Sequence, residues 1–331
     1  MKRTGGDSQQ LVLDKRLLLK MIAPATKKKS DFKKMRIREN IAGWLFCSPI
    51  IIGMLAFTAV PVALSLYSTT LRWNGLVSIF DAPSVGFGNF ENVLFNPNSP
   101  FRAMFLRGLR NTVIMLIYVP ITMALGLGLA LMVNRKMRGT HLWRVIYYVP
   151  GITSVVAVTV IFNNLFMQHG VINTILRNNF GMEHGIQWLT GDFWVIVTIG
   201  ILSAWRGMGF GMLMYLAGLQ QVSGELVEAA RIDGANAWLI FRKITLPALY
   251  PITFFLLVTG IMGGFQIFDA PFLLIGEGPG HNAVTMVSFV FFNFEARQMG
   301  MAAVGAWVLA LIVFVVTAIQ IIWDNRKDKN Y

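Results

Sequence analysis

Few residues in this chain are of a type that could do chemistry, and two of them are charged residues within apolar sequence. Arg206 and Asp269 each lie in a long, mostly apolar run. An arginine at the centre of a membrane helix costs about 3 kcal/mol and is rarely exposed to lipid. Arg206 is therefore expected to face a cavity, where it would bind an anionic solute, or to be held structurally by Asp269 or by backbone carbonyl groups.

Sequence motifs for catalysis and metal binding are absent. The chain contains neither the G-x-x-x-x-G-K-[ST] loop that cradles nucleotide phosphates nor a G-x-S-x-G nucleophile element. Its histidines fall in predicted loops without a partner four residues away, as zinc sites on helices require: His141, His169, His184 and His281. Cys47 is the single cysteine and lies in an apolar run. We therefore predict no metal, no cofactor bound by this chain and no enzymatic activity of its own.

The most informative polar segment runs from Glu225 to Pro247. Small apolar and charged residues alternate up to Gly234, which suits the left-handed residue that ends a helix, and Pro247 suits the first turn of the next one. The pattern predicts two short helices separated by a turn. Taken alone, it also fits an amphipathic helix resting on a bilayer.

The elements that carry these residues are predicted to be membrane helices. Hydrophobic residues make up 55% of the chain, charged residues 14%, and the mean hydropathy is +0.58. Apolar stretches long enough to cross about 30 Å of hydrocarbon predict an all-α integral membrane protein of six spans. These lie at about 41–66, 112–133, 145–166, 195–216, 252–274 and 302–322. Glycines such as Gly126, Gly128 and Gly263 within them favour close helix packing.

The distribution of positive charge predicts the orientation. Twelve of the 29 Lys and Arg residues precede residue 41, and most of the others lie in segments 135–144, 231–243 and 324–331. The positive-inside rule places these segments, and both termini, in the cytoplasm. We predict a basic tail at 1–40, a permease domain at 41–323 and a short tail at 324–331, with no nucleic-acid partner. The external stretch 68–110 is predicted to end in a helix lying in the membrane interface.

Three blocks in the polar segment resemble the cytoplasmic coupling loop of binding-protein-dependent ABC permeases. They are Glu228-Ala229-Ala230, Asp233-Gly234-Ala235 and Ile244-Thr245-Leu246-Pro247. Further residues are similar to the carbohydrate branch of that family: Asn111-Thr112, Phe265, Phe268-Asp269 and the turn Gly276-Glu-Gly-Pro279. The resemblance implies a type I ABC importer fold in a bacterial or archaeal cytoplasmic membrane.

The resemblance also implies partners and site residues. Within a coupling loop at about 219–247, the contacts with an ATPase are implied to be Glu225, Glu228, Ala229, Ala230, Asp233 and Gly234. The substrate pathway is implied to include Ser203, Arg206, Gly207, Phe210, Gly260, Gly263, Gly264 and Ile267. The partners are a second, distinct permease, two ATPase subunits that bind ATP and Mg, an extracellular or periplasmic solute-binding protein, membrane lipid and a sugar.

Two other functions compete with this interpretation. A secondary transporter would need carboxylates within the membrane for ion coupling, and only Asp269 qualifies. An ABC permease for an amino acid or ion would share the coupling loop but not the sugar. The loop favours the importer over the secondary transporter, and the carbohydrate-type residues favour the sugar.

Overall fold

The computed structural model describes residues 29–135, 139–182, 184–275 and 283–328 of the chain. Within those ranges the protein is helical, apart from one isolated antiparallel bridge between Leu71 and Ser84. The first 28 residues of the predicted basic tail and the turn at 276–279 lie outside the described residues. Two units are distinguished, residues 1–64 and 65–331.

The described part of the first unit consists of helix α1, Lys29–Met54, a π-helical turn, Leu55–Ala59, and the beginning of α2, Val60–Ser68. Pro61 lacks the N–H that a regular helix would direct at the Phe57 carbonyl. The wider π turn, closed by the Val60 N–H on the Leu55 carbonyl, lies directly before this proline. The 34-residue stretch Met35–Ser68 is apolar enough to cross a membrane.

The second unit contains the remaining helices. In chain order they are α3 Gly88–Phe90, α4 Pro100–Met115, α5 Tyr118–Val133, α6 Thr140–Ile152, α7 Val155–Phe166, α8 Val171–Phe180, α9 Asp192–Leu219, α10 Gly224–Ile232, α11 Ala237–Ile240, α12 Leu246–Ala248, α13 Tyr250–Phe265, α14 Asp269–Ile275, α15 Met286–Glu295 and α16 Met299–Asp328. With Met35–Ser68, five stretches in the described residues are long and apolar enough to span a membrane, and the pair Ala237–Ala248 and Tyr250–Phe265, bent by 62°, makes a sixth. The predicted all-α, six-span architecture is confirmed.

The third span was predicted as one helix over 145–166, and this is wrong. The chain leaves the helical conformation at Thr153 and Ser154, where ψ is 144° and 130°, between α6 and α7. Pro150, within α6, has no N–H for the carbonyl of Ile146, which weakens the helix just before the break. The predicted third span is therefore broken between α6 and α7, and the stretch here that is by itself long and apolar enough to cross a membrane is Val155–Phe180.

The fifth span is also discontinuous, whereas a single helix over 252–274 was predicted. Helix α13 ends at Phe265 and α14 begins at Asp269. Pro271 cannot donate to the carbonyl of Ile267, four residues earlier, and its ring would clash with that carbonyl in a continuous helix. The chain therefore opens at Gln266–Phe268.

The predicted interface helix before residue 110 is a further correction. Helix α4 continues into α5 as one 34-residue apolar stretch, Pro100–Val133. Its inner face packs in the protein: Phe105 is 2% exposed and meets the Phe289 ring edge-on, with 5.5 Å between ring centroids. The sequence pattern predicts an interfacial helix because arginines alternate with the apolar residues.

Helix α9 is the central element of the second unit. At 28 residues it is about 42 Å long. Its Ile199 and Leu202 belong to an apolar cluster with α7 and α14, and its Met212 belongs to another with α5 and α13. Side chains on α9 therefore face both discontinuous spans.

Candidate functional site

A cavity of about 480 Å³ lies where the C-terminal part of α6 and the break in the fifth span meet α9. Its volume is within the range of small-molecule sites, roughly 300–1,000 Å³. Polar side chains in its lining are Ser203, Arg206, Gln266 and Asp269. Aromatic side chains in its lining are Tyr118, Tyr148, Phe210 and Phe268. This combination of rings and hydrogen-bonding groups suits a ligand with both apolar faces and hydroxyl groups.

Arg206 is held at the edge of the broken third span. Its Nη2 atom donates to the Thr153 carbonyl at 3.5 Å, at the C-terminal end of α6, where a positive charge is favourable. Its buried Nε atom has no hydrogen-bond partner among the described residues. Asp269 lines the same cavity but lies beyond the 4.0 Å that defines an ion pair with Arg206. The observed contact is thus the carbonyl alternative rather than the pairing with Asp269.

A second, almost wholly apolar cavity of about 260 Å³ adjoins the first. Tyr118, Gly207 and Phe210 line both cavities. The second is otherwise bounded by residues nearer the coupling loop along α13, including Leu256 and Gly260. A polar compartment and an apolar one therefore follow each other along α9, with α13 beside the apolar one and the segment after α13 beside the polar one.

Three glycines allow these helices to approach α5 and the end of α4. A Cβ atom on Gly207 would lie 2.9 Å from the Thr122 side chain, one on Gly260 2.7 Å from Val119, and one on Gly264 2.6 Å from Leu116. Such small residues let membrane helices pack closely. Gly263 has no atom within 4 Å of a built Cβ and is exposed. Close approach, rather than widening of the cavity, is the direct role of the first three.

The coupling loop has the predicted form of two helices separated by a turn. The Ser223 side chain caps α10 by accepting from the Leu226 N–H at 3.4 Å. At its other end, Gly234 has φ +84°, its N–H donates to the Arg231 carbonyl at 3.0 Å, and the Ala235 N–H donates to the Ala230 carbonyl at 2.9 Å. These two bonds define a Schellman motif. Asn236 then caps α11, accepting from the Leu239 N–H at 2.9 Å.

The surface of the coupling loop is exposed and partly apolar. Ile232 is 82% exposed, Trp238 66% and Leu226 60%. The predicted contact residues Glu225, Glu228, Ala229, Asp233 and Gly234 are exposed, and Ala230 is half-buried. Large apolar side chains rimmed by charge mark a protein interaction site.

Comparison with known proteins identifies the family. Residues 122–329 match the family described as the binding-protein-dependent transport system inner membrane component. The chain belongs to this family. It is 32% identical over 302 residues to the lactose transport system permease protein LacF of Rhizobium radiobacter, covering 89% of this chain and 97% of LacF. It is 30% identical over 310 residues to the arabinooligosaccharides transport system permease protein AraP of Bacillus subtilis, covering 90% and 93%.

The fold of this permease is also found in solved structures. A chain from the crystal structure of a bacterial ABC transporter involved in the import of the acidic polysaccharide alginate superposes with a TM-score of 0.74. That match covers 88% of this permease and 98% of the other chain at 20% sequence identity. The predicted type I importer fold and the membership in the ABC permeases are confirmed.

The residues predicted for the substrate pathway of the permease fall into three groups. Those that line the larger cavity are Ser203, Arg206, Gly207, Phe210 and Ile267. Gly260 lines the apolar cavity, and neither cavity has Gly263 or Gly264 in its lining. The sequence interpretation missed Gln266, Tyr118 and Tyr148. Pro271 and Pro150 were the available signals, because each proline lies within a few residues of a break.

The permease offers no metal site in the described part of the chain. No group of three or more His, Cys, Asp or Glu side chains is placed to hold an ion there.

The separation of Arg206 and Asp269 leads to a test of the role of each. Asp269→Asn should change the free energy of unfolding by no more than about 0.5 kcal/mol, because Asp269 is exposed and forms no ion pair with Arg206. The amount of folded permease should therefore stay near that of the parent. Arg206→Met should lower that amount, because the Thr153 carbonyl loses its donor. Detergent-solubilised, tagged protein measured by fluorescence size-exclusion chromatography would compare them. Equal losses in both variants, rescued by exchanging the two residues, would contradict the assignment.

Proposed function

We propose that this permease is one of two membrane halves of an ATP-driven importer that carries a saccharide. The observation that carries the proposal is the exposed coupling loop, which continues through α11 and α12 into α13. Helix α13 lines the apolar cavity and leads directly into Gln266–Asp269, which line the larger one. A motion imposed on the loop would therefore act directly on the walls of the pathway.

The ATPase is proposed to be a separate subunit that docks on α10 and α11. The absence of a phosphate-binding loop from the sequence means that ATP and Mg would be bound by that partner. Ile232 and Trp238 supply the large apolar groups that anchor protein interfaces, and Glu228 supplies a charged contact at the rim. Small side chains at Ala229 and Ala230 allow the two backbones to come close.

Transmission to the cavity is proposed to pass through the 62° bend at Leu249. Leu249 is fully buried, and the next residue, Tyr250, donates its hydroxyl to Asp324 on α16 at 2.7 Å. The end of the sixth span is thus bonded to the start of the fifth. A displacement of the loop would move α13 and α16 together rather than only flex the bend.

The substrate is proposed to be a neutral saccharide. The larger cavity contains one guanidinium group, Arg206, and one carboxylate, Asp269, so its lining carries no net formal charge. Rings such as Tyr118 and Phe210 provide faces for the C–H surfaces of a sugar, and Ser203 and Gln266 provide hydrogen bonds to hydroxyl groups. The relatives LacF and AraP are named for the transport of lactose and arabinooligosaccharides.

The remaining partners follow from the membership in the family. One chain supplies one coupling loop, so a second permease and a second ATPase subunit are proposed to complete the pathway, and a solute-binding protein to deliver the sugar outside. The second permease is proposed to be a related but distinct chain. The orientation, with both termini in the cytoplasm, is the one predicted from the positive charge.

Affinity purification and transport together test this function. The tagged permease, extracted gently from its native membranes, should copurify with a second permease and an ATPase that contains a phosphate-binding loop. Reconstituted with its binding protein, the complex should take up radiolabelled neutral oligosaccharides at least about tenfold faster than uronate-containing ones, a difference of about 1.4 kcal/mol. Recovery of a monodisperse permease alone, without ATP-dependent uptake, would contradict the proposal.

A further inference from the structure

At the break in the fifth span, the carbonyl of Ile267 has no helical donor. Pro271 stands four residues after Ile267 and has no N–H, so the bond that would continue the helix across the break cannot form. A polar backbone group at membrane depth needs another partner, and Ser and Thr side chains serve this role in membrane helices. The donor in this permease comes from a different part of the chain.

The hydroxyl of Thr285 takes the place of the missing amide. Thr285 Oγ1 lies 3.0 Å from the Ile267 carbonyl, and the residue is fully buried. The same oxygen accepts from the Ser288 N–H at 3.2 Å, where it caps α15. The Ser288 Oγ atom also lies 3.0 Å from this oxygen. Since a hydroxyl has one proton and two lone pairs, Thr285 can donate to Ile267 while it accepts from both the N–H and the hydroxyl of Ser288.

The segment that carries Thr285 is fixed to α4 on its other side. Asn111 Nδ2 donates to the Val284 carbonyl at 3.0 Å, and the Met286 N–H donates to Thr112 Oγ1 at 3.1 Å. Asn111 and Thr112 are both buried. Gly108 allows this approach, because a Cβ there would lie 2.9 Å from the Thr285 carbonyl oxygen. Residues 284–286 are therefore a rigid support rather than a loop that follows its neighbours.

We propose that Thr285 is a positioning residue for the translocation cavity. By replacing the amide that Pro271 lacks, its hydroxyl fixes the segment Gln266–Asp269, all four residues of which line the cavity. Thr285 itself is not part of the lining and has no contact with the solute. The inference rests on the proposed function only in assigning this cavity to transport.

Thiol accessibility measures this positioning without any substrate. Cys47 is the single cysteine of the permease, so Cys47→Ser provides a background in which Ala270→Cys is its one thiol. Ala270 directly follows the segment Gln266–Asp269, lines the cavity and is only 5% exposed, so its labelling depends on opening of the segment. The assembled complex, solubilised in detergent, would be labelled with a water-soluble methanethiosulfonate reagent, and the label would be measured on the permease after the subunits are separated. Adding Thr285→Val should raise the labelling rate roughly 5- to 30-fold. Loss of one buried hydrogen bond shifts the equilibrium between the closed and the open form of the segment by about this factor.

Two variants control for simple loss of packing. Thr285→Ser keeps the hydroxyl and should restore the parent labelling rate. Thr159→Val removes a buried hydroxyl that is bonded only to carbonyls of its own helix, those of Val155 and Val156, and should leave the rate unchanged. A change of the same size in Thr159→Val would overturn the assignment.

A double substitution gives the sharpest test. Pro271→Ala supplies an N–H to the Ile267 carbonyl, so the hydroxyl of Thr285 should become dispensable. In that background Thr285→Val should change the labelling rate by no more than about twofold, the limit for residues that no longer share a partner. If Thr285→Val changed the labelling rate equally with proline and with alanine at position 271, the hydroxyl of Thr285 would not be substituting for the missing amide. Because labelling needs neither ATP nor sugar, this result is independent of the outcome of the uptake experiments.

Discussion

Gly234→Pro should abolish most transport while leaving the permease inserted in the membrane. Proline holds φ near −65°, whereas Gly234 has φ +84°, and the substitution also removes the N–H that donates to the Arg231 carbonyl. The Schellman motif that orients α10 relative to α11 would be lost, at a local cost of roughly 1–3 kcal/mol. Uptake in vesicles should fall at least about tenfold, since 1.4 kcal/mol is a factor of ten. The amount of permease in the membrane, measured by immunoblot, should stay near the parent value.

A matched proline substitution exists in the same loop. Gly224 is the first residue of α10, where proline is well tolerated, and Ser223 before it has φ −59° and ψ 122°, as a residue before proline prefers. Nothing lies within 4 Å of a built Cβ on Gly224. Gly224→Pro should therefore retain uptake. Similar uptake in the two proline variants would mean that the turn at Gly234 does not transmit force to the membrane helices.

Gly209→Ala should cause the largest loss of assembled permease among single-methyl additions in α9. A Cβ at Gly209 would overlap the Tyr147 carbonyl oxygen and lie 2.8 Å from the Tyr148 Cα atom, both in the backbone of α6. Backbone cannot rotate away as a side chain can, so α6 must shift from α9. Overpacking of this kind costs roughly 1–3 kcal/mol. A loss of stability of that size lowers the abundance of a folded protein several-fold. The thermal midpoint of Gly209→Ala should fall as well.

Gly128→Ala is the control for the added methyl group. Gly128 is exposed on α5, and nothing lies within 4 Å of a built Cβ there. Alanine also favours a helix by about 1 kcal/mol over glycine, so no loss is expected. Abundance and thermal midpoint, measured by fluorescence size-exclusion chromatography after heating, should separate the two variants. Equal thermal midpoints would show that α6 and α9 do not depend on the close contact at Gly209.

The helices and the coupling loop could be predicted because local sequence determines them. Spans follow from the length of apolar sequence, which the hydrocarbon thickness sets. The turn at Gly234 follows from the left-handed conformation that ends many helices and favours glycine. Both features need only neighbouring residues. The number of spans and the turn are confirmed, although two of the predicted spans are interrupted.

The helix breaks were not predicted, because apolar sequence alone cannot locate them. Thr153, Gln266 and Ile267 stand in sequence as apolar as a regular span, and proline can lie within a continuous membrane helix. Whether the helix breaks depends on a side chain elsewhere in the fold that donates a hydrogen bond to the backbone carbonyl group left without its helical partner. In the fifth span that side chain is Thr285, in the third the guanidinium group of Arg206.

The sequence by itself therefore determined the membrane class, the number of spans, the ABC permease family and the form of the coupling loop. Tertiary structure alone decided which residues share the cavity, that Arg206 contacts a carbonyl rather than Asp269, and that Gly207, Gly260 and Gly264 permit close packing. The physical reason is the range of the interactions. Hydrophobic length and backbone turns act over a few residues, whereas a break is stable only when a distant side chain satisfies the backbone group that it exposes.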